Sequence, residues 1–242
     1  MKVLSYNILN GGEERLPAIA AIVKREQPDA VALIEANSRA NAAWLADELG
    51  MTMLFGEANC PYHIAWLSRL PIQRSENYRR PILAKTLFAI EVVWEGRPLR
   101  LFATHLASSH EAHPPVVEMP VILDVLRAFT DQPQLLVGDF NALRPGDPTG
   151  TPPSGVVKWG DAATAAPRAA IQLLLDAGYT DCYRMLHPQQ PGYTYPTDTP
   201  WMRLDYAFAS PRLAARLHAC EIITGEQAVH ASDHFPIAVE FR

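Results

Sequence analysis

Cysteine, long apolar runs and surplus positive charge are all scarce in this sequence. Its three cysteines, Cys60, Cys182 and Cys220, are too few and too scattered for a disulfide framework or a thiolate zinc site. They read as reduced, mostly buried thiols. No apolar run approaches the ~20 residues of a membrane span, so no membrane partner is expected. Met1-Lys2 leads straight into Val3-Leu4-Ser5-Tyr6 with no basic region followed by an apolar signal stretch. A cytoplasmic monomer is therefore the expectation. The net charge of −5 argues against a protein that coats nucleic acid electrostatically, because such binding rests on Lys and Arg. It does not exclude phosphate chemistry, since a bound cation can supply local positive charge.

What is present is enough apolar material for a large core. Hydrophobic residues make up 48% of the 242 positions and charged residues 19%. Strand and helix patterns alternate, which predicts one α/β domain over residues 1–242. Strands are expected at Val3–Leu9, Ala30–Ile34, Met51–Phe55, Ile64–Leu67, Leu87–Trp94, Leu99–Thr104, Gln134–Val137, Leu204–Ala209, Ala219–Thr224 and Ile237–Phe241. Glu95-Gly96-Arg97-Pro98 reads as a hairpin turn between two of them. Helices are expected at about Glu14–Glu26, Arg39–Leu49, Val116–Phe129 and Ala169–Ala177. The long irregular stretch is 143–167, rich in Pro, Gly, Thr and Ser, and loops of that length are often functional. It directly follows Asp139 and Asn141, so a rim of a substrate pocket is expected there, with Trp159 or Lys158 reaching the leaving group.

Short polar motifs punctuate the strand ends in a fixed order. They are Ser5-Tyr6-Asn7, Ile34-Glu35, Thr104-His105-Leu106, Gly138-Asp139-Phe140-Asn141, Arg203-Leu204-Asp205-Tyr206 and Ser232-Asp233-His234. Carboxylates and amides are the hard oxygen donors that select Mg²⁺ or Mn²⁺. Glu35 would project from the carboxyl end of an apolar strand, either as a metal ligand or as an ordinary surface carboxylate. Asp139 and Asn141 are two apart, so a continuing pleat would aim both at one ligand. The alternative is a simple Asp/Asn turn. Gly138 would let backbone approach closely. Asp205 lies in an apolar run and needs a partner. That partner is either His234, whose ring it would orient, or Arg203 in a structural bridge. His105 is the second candidate histidine.

The complete ordered set, from Asn7 to His234, resembles the endonuclease/exonuclease/phosphatase superfamily, whose fold is that of deoxyribonuclease I. Tyr62–Ile72, with Ala65-Trp66-Leu67-Ser68-Arg69 at its centre, is similar to a further strand of that family. The resemblance implies a four-layered α/β sandwich, with two mixed sheets face to face and helices outside. It implies Glu35 as principal Mg²⁺ or Mn²⁺ ligand, with Asn7 and Asp233 beside it. Asp139 would prepare the attacking water and Asn141 would contact phosphate. His105 and His234, the latter oriented by Asp205, would flank the scissile phosphate. Ile64 stands where the family often has Asn, and no acidic partner beside His105 is evident. The implied activity is metal-dependent hydrolysis of a phosphodiester, small or in short accessible nucleic acid. The alternatives are a phosphomonoesterase of the same superfamily and an inactive binding module on the same fold. A serine hydrolase is excluded because no Gly-x-Ser-x-Gly elbow occurs.

Overall fold

The computed structural model describes residues 1–152 and 167–242, so the expected rim contacts from Lys158 and Trp159 lie outside the described residues. Within them, β-branched and aliphatic runs form twelve strands divided equally between two mixed sheets. The first sheet holds β1 (Lys2–Asn7), β2 (Ala30–Ile34), β3 (Thr52–Gly56), β4 (Ile64–Ser68), β11 (Leu217–Ile222) and β12 (Ile237–Phe241), in the order β11-β12-β1-β2-β4-β3. The second holds β5 (Ile72–Tyr78), β6 (Leu87–Trp94), β7 (Arg97–His105), β8 (Gln134–Asp139), β9 (Thr180–Asp181) and β10 (Asp205–Ala209), in the order β5-β6-β7-β8-β10-β9.

Successive strand residues point to opposite faces, and here both faces are apolar. Val3, Ala32, Ile34 and Trp66 of the first sheet meet Phe88, Leu101, Val137 and Ala207 of the second in a central core. The Trp66 indole N–H reaches across the sandwich to the Phe88 carbonyl at 3.1 Å. On the outer face of the first sheet, Leu4, Tyr6, Val31 and Leu33 pack with α1 (Leu16–Glu26) and α2 (Arg39–Leu49). On the outer face of the second, Phe102, Leu136 and Phe208 pack with α3 (Met119–Arg127) and α4 (Ala169–Asp176). This is the four-layered, deoxyribonuclease I-like sandwich.

Differences from the sequence reading have local causes. Pro17 and Pro120 lie in first turns, so the expected helices at Glu14 and Val116 begin as separate 3-10 turns, Glu13–Arg15 and Pro115–Val117. The hairpin turn is only Glu95-Gly96, both at positive φ, with Trp94 paired to Arg97. Edge strand β5 was not expected, and neither were β9 and the short helices α5 (Cys182–Leu186), α6 (Pro211–Ala214) and α7 (Glu226–Ala231).

The topology sets the site. β1 and β2 run parallel, as do β7 and β8, so Asn7, Glu35, His105 and Asp139 emerge at one end of the sandwich. β10 and β12 run antiparallel to these strands, so the same end receives the start of β10 at Asp205 and the approach to β12 at Asp233-His234.

Candidate active site

Register brings the second sheet's polar residues side by side: His105 pairs with Asp139 on one flank, and Asp205 pairs with Asp139 on the other. Gly138 makes this possible. A Cβ there would sit 1.9 Å from the Thr104 carbonyl oxygen, and its φ of 141° disfavours any L side chain. Asn141 adopts φ 44°, a left-handed conformation that Asn tolerates better than most residues. This turn brings its backbone N–H to Asp139 Oδ1 at 2.9 Å. Its side-chain amide donates to the Leu106 carbonyl at 3.2 Å. The regular pleat expected over 139–141 is therefore replaced by a turn in which Asn141 holds Asp139 in place.

Glu35 is also in the left-handed region, at φ 60°. Such strain in a non-glycine residue recurs at functional sites. Its Oε2 accepts from the Asn10 N–H at 3.0 Å, and its Oε1 from Asn7 Nδ2 at 3.2 Å. The same Asn7 Nδ2 lies 3.2 Å from Asp139 Oδ2, so one amide spans the two carboxylates and the gap between the sheets. Asn7 Oδ1 accepts from the Leu9 N–H, which leaves the donor edge facing the carboxylates. Burial raises the Glu35 pKa, against the pull of the Asn10 and Asn7 hydrogen bonds.

The two histidines flank Asp139. His105 Nε2 is 3.5 Å and His234 Nε2 3.7 Å from Asp139 Oδ2. Burial drives the His105 pKa down to about 3, with Lys85 adding to the effect. Its Nδ1 has no hydrogen-bond partner among the described residues. His234 is equally buried, but Asp205 and Asp139 more than offset that cost and hold its pKa at about 9. Its Nδ1 lies 2.8 Å from Asp205 Oδ2. Arg203 is engaged elsewhere, 2.6 Å from both Asp147 and Asp181. Its geometry is that of a separate buried ion cluster, not of a bridge to Asp205.

These groups line a cavity of about 410 Å³ that also takes in Asp233, Tyr62, Lys85, Ser108, His110, Glu111 and Tyr195. The last six of these carried no site assignment in the sequence reading. Tyr62 leans on His105 with ring centroids 6.1 Å apart, and Tyr195 leans on His234 at 4.7 Å. Tyr195 is placed by its bridge to Met202.

Two groupings could hold a cation. Asp139, Asp205 and His234 present ligand atoms within 4.8 Å of one another. An ion there would have to displace the proton that Asp205 and Asp139 hold on His234. The second grouping is Glu35 and Asp233, both on that cavity, with the buried Asn7 behind Glu35. Four carboxylates, Glu35, Glu111, Asp139 and Asp233, line that cavity, and among its described lining residues Lys85 is the one Lys or Arg. Asp205 Oδ1 is buried with no hydrogen-bond partner among the described residues. Oxygen donors and an excess of carboxylates over cationic side chains fit a hard divalent ion.

The sequence model of the Endonuclease/Exonuclease/phosphatase family matches residues 4–234. This chain belongs to that family. Its members are hydrolases of phosphate esters. Among solved structures, a 3′ phosphatase NExo from Neisseria, bound to a product DNA hairpin, is similar at 22% identity and TM-score 0.79, covering 100% of this chain and 99% of that one. An AP endonuclease from Archaeoglobus fulgidus is similar at 18% identity and TM-score 0.78, with the same coverage. TDP2 from D. rerio, complexed with a single-strand DNA product, gives 19% and 0.75, covering 100% of this chain and 98% of that one. At these identities the likeness carries the fold. No curated protein matches significantly in sequence. Among the described residues, no helix is long and apolar enough to cross a membrane.

Proposed function

We propose that this chain is a Mg²⁺- or Mn²⁺-dependent phosphohydrolase that cleaves phosphodiester bonds by in-line attack of water. The observation that carries the reading is the convergence on Asp139. Asn7, the Asn141 N–H, His105 and His234 all reach its carboxylate, within 3.7 Å at most. A carboxylate held by so many partners has a fixed direction, as a group that orients and deprotonates water needs. His234, charged and oriented by Asp205, would donate to a phosphate oxygen as negative charge grows there. Neutral His105 would donate or accept from the other flank, and the Asn141 side chain would contact phosphate.

Glu35 and Asp233 would hold the divalent ion, and Asn7 would join them by turning its Oδ1, now held by the Leu9 N–H, toward it; the ion when bound stabilises charge on the phosphate and leaving oxygens as a Lewis acid. The substrate would be a small phosphodiester or a short accessible nucleic acid. The cavity is confined and acidic, and its one Lys is already paired, which suits neither a long duplex nor a broad electrostatic footprint. The relatives NExo and TDP2, described with product DNA, are consistent with a nucleic-acid end. The test is a panel of bis-p-nitrophenyl phosphate, p-nitrophenyl phosphate, abasic duplex and RNA, each with Mg²⁺, Mn²⁺ or chelator. Metal-dependent turnover favouring the diester is the expected result. Turnover of the monoester alone would make this a phosphomonoesterase, and undiminished activity in chelator would remove the metal from the reaction.

A further inference from the structure

Lys85 is an unusual wall residue for so acidic a cavity. Its side chain is 1% exposed, yet it lines the same cavity as Asp139. A buried ammonium is costly without a counter-charge. Glu111 supplies it, with Oε1 2.6 Å from Nζ. Nζ also donates to the Leu106 carbonyl at 3.2 Å, the oxygen that accepts from Asn141 Nδ2. Nζ also lies 5.9 Å from the centroid of the Tyr62 ring.

Glu111 sits in a more open setting than Lys85. Its side chain is 25% exposed and belongs to the irregular segment after β7, where its other oxygen accepts from the Ser108 N–H at 2.6 Å and from the Ser108 hydroxyl. The ammonium is thus fixed in the wall, while its counter-ion stands at the cavity's edge.

We propose that Lys85 forms a subsite for a second anionic group of the substrate, a phosphate next to the one being cleaved, and that the Glu111 carboxylate occupies this subsite until such a substrate arrives. Sharing the Leu106 carbonyl ties Lys85 to Asn141, so a phosphate contacting Asn141 leaves a neighbouring phosphate within reach of Nζ. Exchange of Glu111 for phosphate keeps the buried cation paired throughout, so the site never bears an isolated charge. Discrimination follows. A mono-anionic diester gains nothing from Lys85, whereas a bisphosphate or an oligonucleotide end displaces Glu111. The inference rests on the phosphodiesterase reading for its placement of the first phosphate.

The test compares calorimetric binding of thymidine 3′,5′-bisphosphate with that of thymidine 5′- and 3′-monophosphate, in chelator so that no turnover adds heat. The probes are titrated into the wild type, Glu111→Gln and Lys85→Met. Removing the competing carboxylate should tighten bisphosphate binding about tenfold, the scale of one charge-assisted hydrogen bond, and leave the monophosphates unchanged. Lys85→Met should erase the preference for the bisphosphate. If Lys85→Met fails to fold, Glu111→Gln decides alone. Equal bisphosphate affinity in Glu111→Gln and wild type would overturn the subsite and leave the pair a structural staple. A thymidine trinucleotide with a 5′-phosphate, titrated in parallel, separates the sources. Affinity above that of the bisphosphate assigns a nucleic-acid chain, and equal affinity a free nucleotide. Wild-type turnover of bis-p-nitrophenyl phosphate in Mg²⁺ reports separately on the phosphodiesterase reading, so the two can fail independently.

Discussion

His105 and His234 stand on either side of one carboxylate, yet their pKa values are driven apart, down to about 3 and up to about 9. Both are buried, and the difference is Asp205. It gives His234 a second carboxylate, whereas His105 has Lys85 near it and, among the described residues, no acceptor on Nδ1. If Asp205 acts through His234, the two residues form a unit. His234→Ala should then cut turnover ~10²-fold or more, and Asp205→Ala/His234→Ala should be little worse. Steady-state kinetics on the three variants checks this, and additive losses would assign Asp205 an independent role. Glu35→Ala should weaken Mg²⁺ binding and activity together. Calorimetry that finds unchanged Mg²⁺ affinity in that variant would remove Glu35 as chief ligand. Every one of these residues was legible in the sequence, because each sits beside a strand end within a short polar motif. Lys85, Glu111 and Tyr195 were not. Nothing in their neighbours' spacing says that the segments carrying them fold back over Asp139.

At the scale of elements, the close approach of β7 and β8 at Gly138 carries the alignment of His105 with Asp139. Gly138→Ala would drive a methyl into the Thr104 carbonyl, which as backbone cannot move aside cheaply. A loss of about 3 kcal/mol or more is expected, or ~6–12 °C in Tm for a chain of this size. Thermal unfolding measures it, and a Tm within a degree or two of wild type would mean the strands separate freely. The segment after β7 offers a pH-dependent test. Burial alone would raise the Glu111 pKa, but Lys85 and Ser108 more than reverse that and bring it to about 2. The folded value lies below the unfolded value of about 4.3. The contribution is therefore fully present above that pH and disappears as pH falls towards 2. Glu111→Gln should lower Tm at pH 7 by roughly 2–8 °C, for about 1–2 kcal/mol lost, and the gap should narrow between pH ~4.5 and ~2. A gap that stays constant across that range would show that the ionised carboxylate contributes nothing.

Element legibility followed burial. The core strands β2 and β6 and helix α2 match their expected bounds because apolar runs and periodicity fix them. Edge strand β5 escaped because its middle, Gln73-Arg74-Ser75-Glu76, is polar and solvent-facing, so only its pairing with β6 defines it. The helices α5, α6 and α7 are too short for periodicity to declare themselves.

For the molecule as a whole, antiparallel entry and parallel exit of strands gather donors from two sheets at one end, and Asn7 links them across the gap. That arrangement gives a confined acidic cavity in an acidic protein, where cation and phosphate charges must balance. The central claim is that Asp139 prepares water for a metal-assisted attack on a phosphodiester. Its most direct test is the rate of bis-p-nitrophenyl phosphate hydrolysis by wild type and Asp139→Asn, each in Mg²⁺ and in chelator. The account predicts turnover by the wild type in Mg²⁺ alone, and a rate ~10²-fold or more lower for Asp139→Asn. A wild-type rate from Asp139→Asn, or equal rates with and without metal, would contradict it.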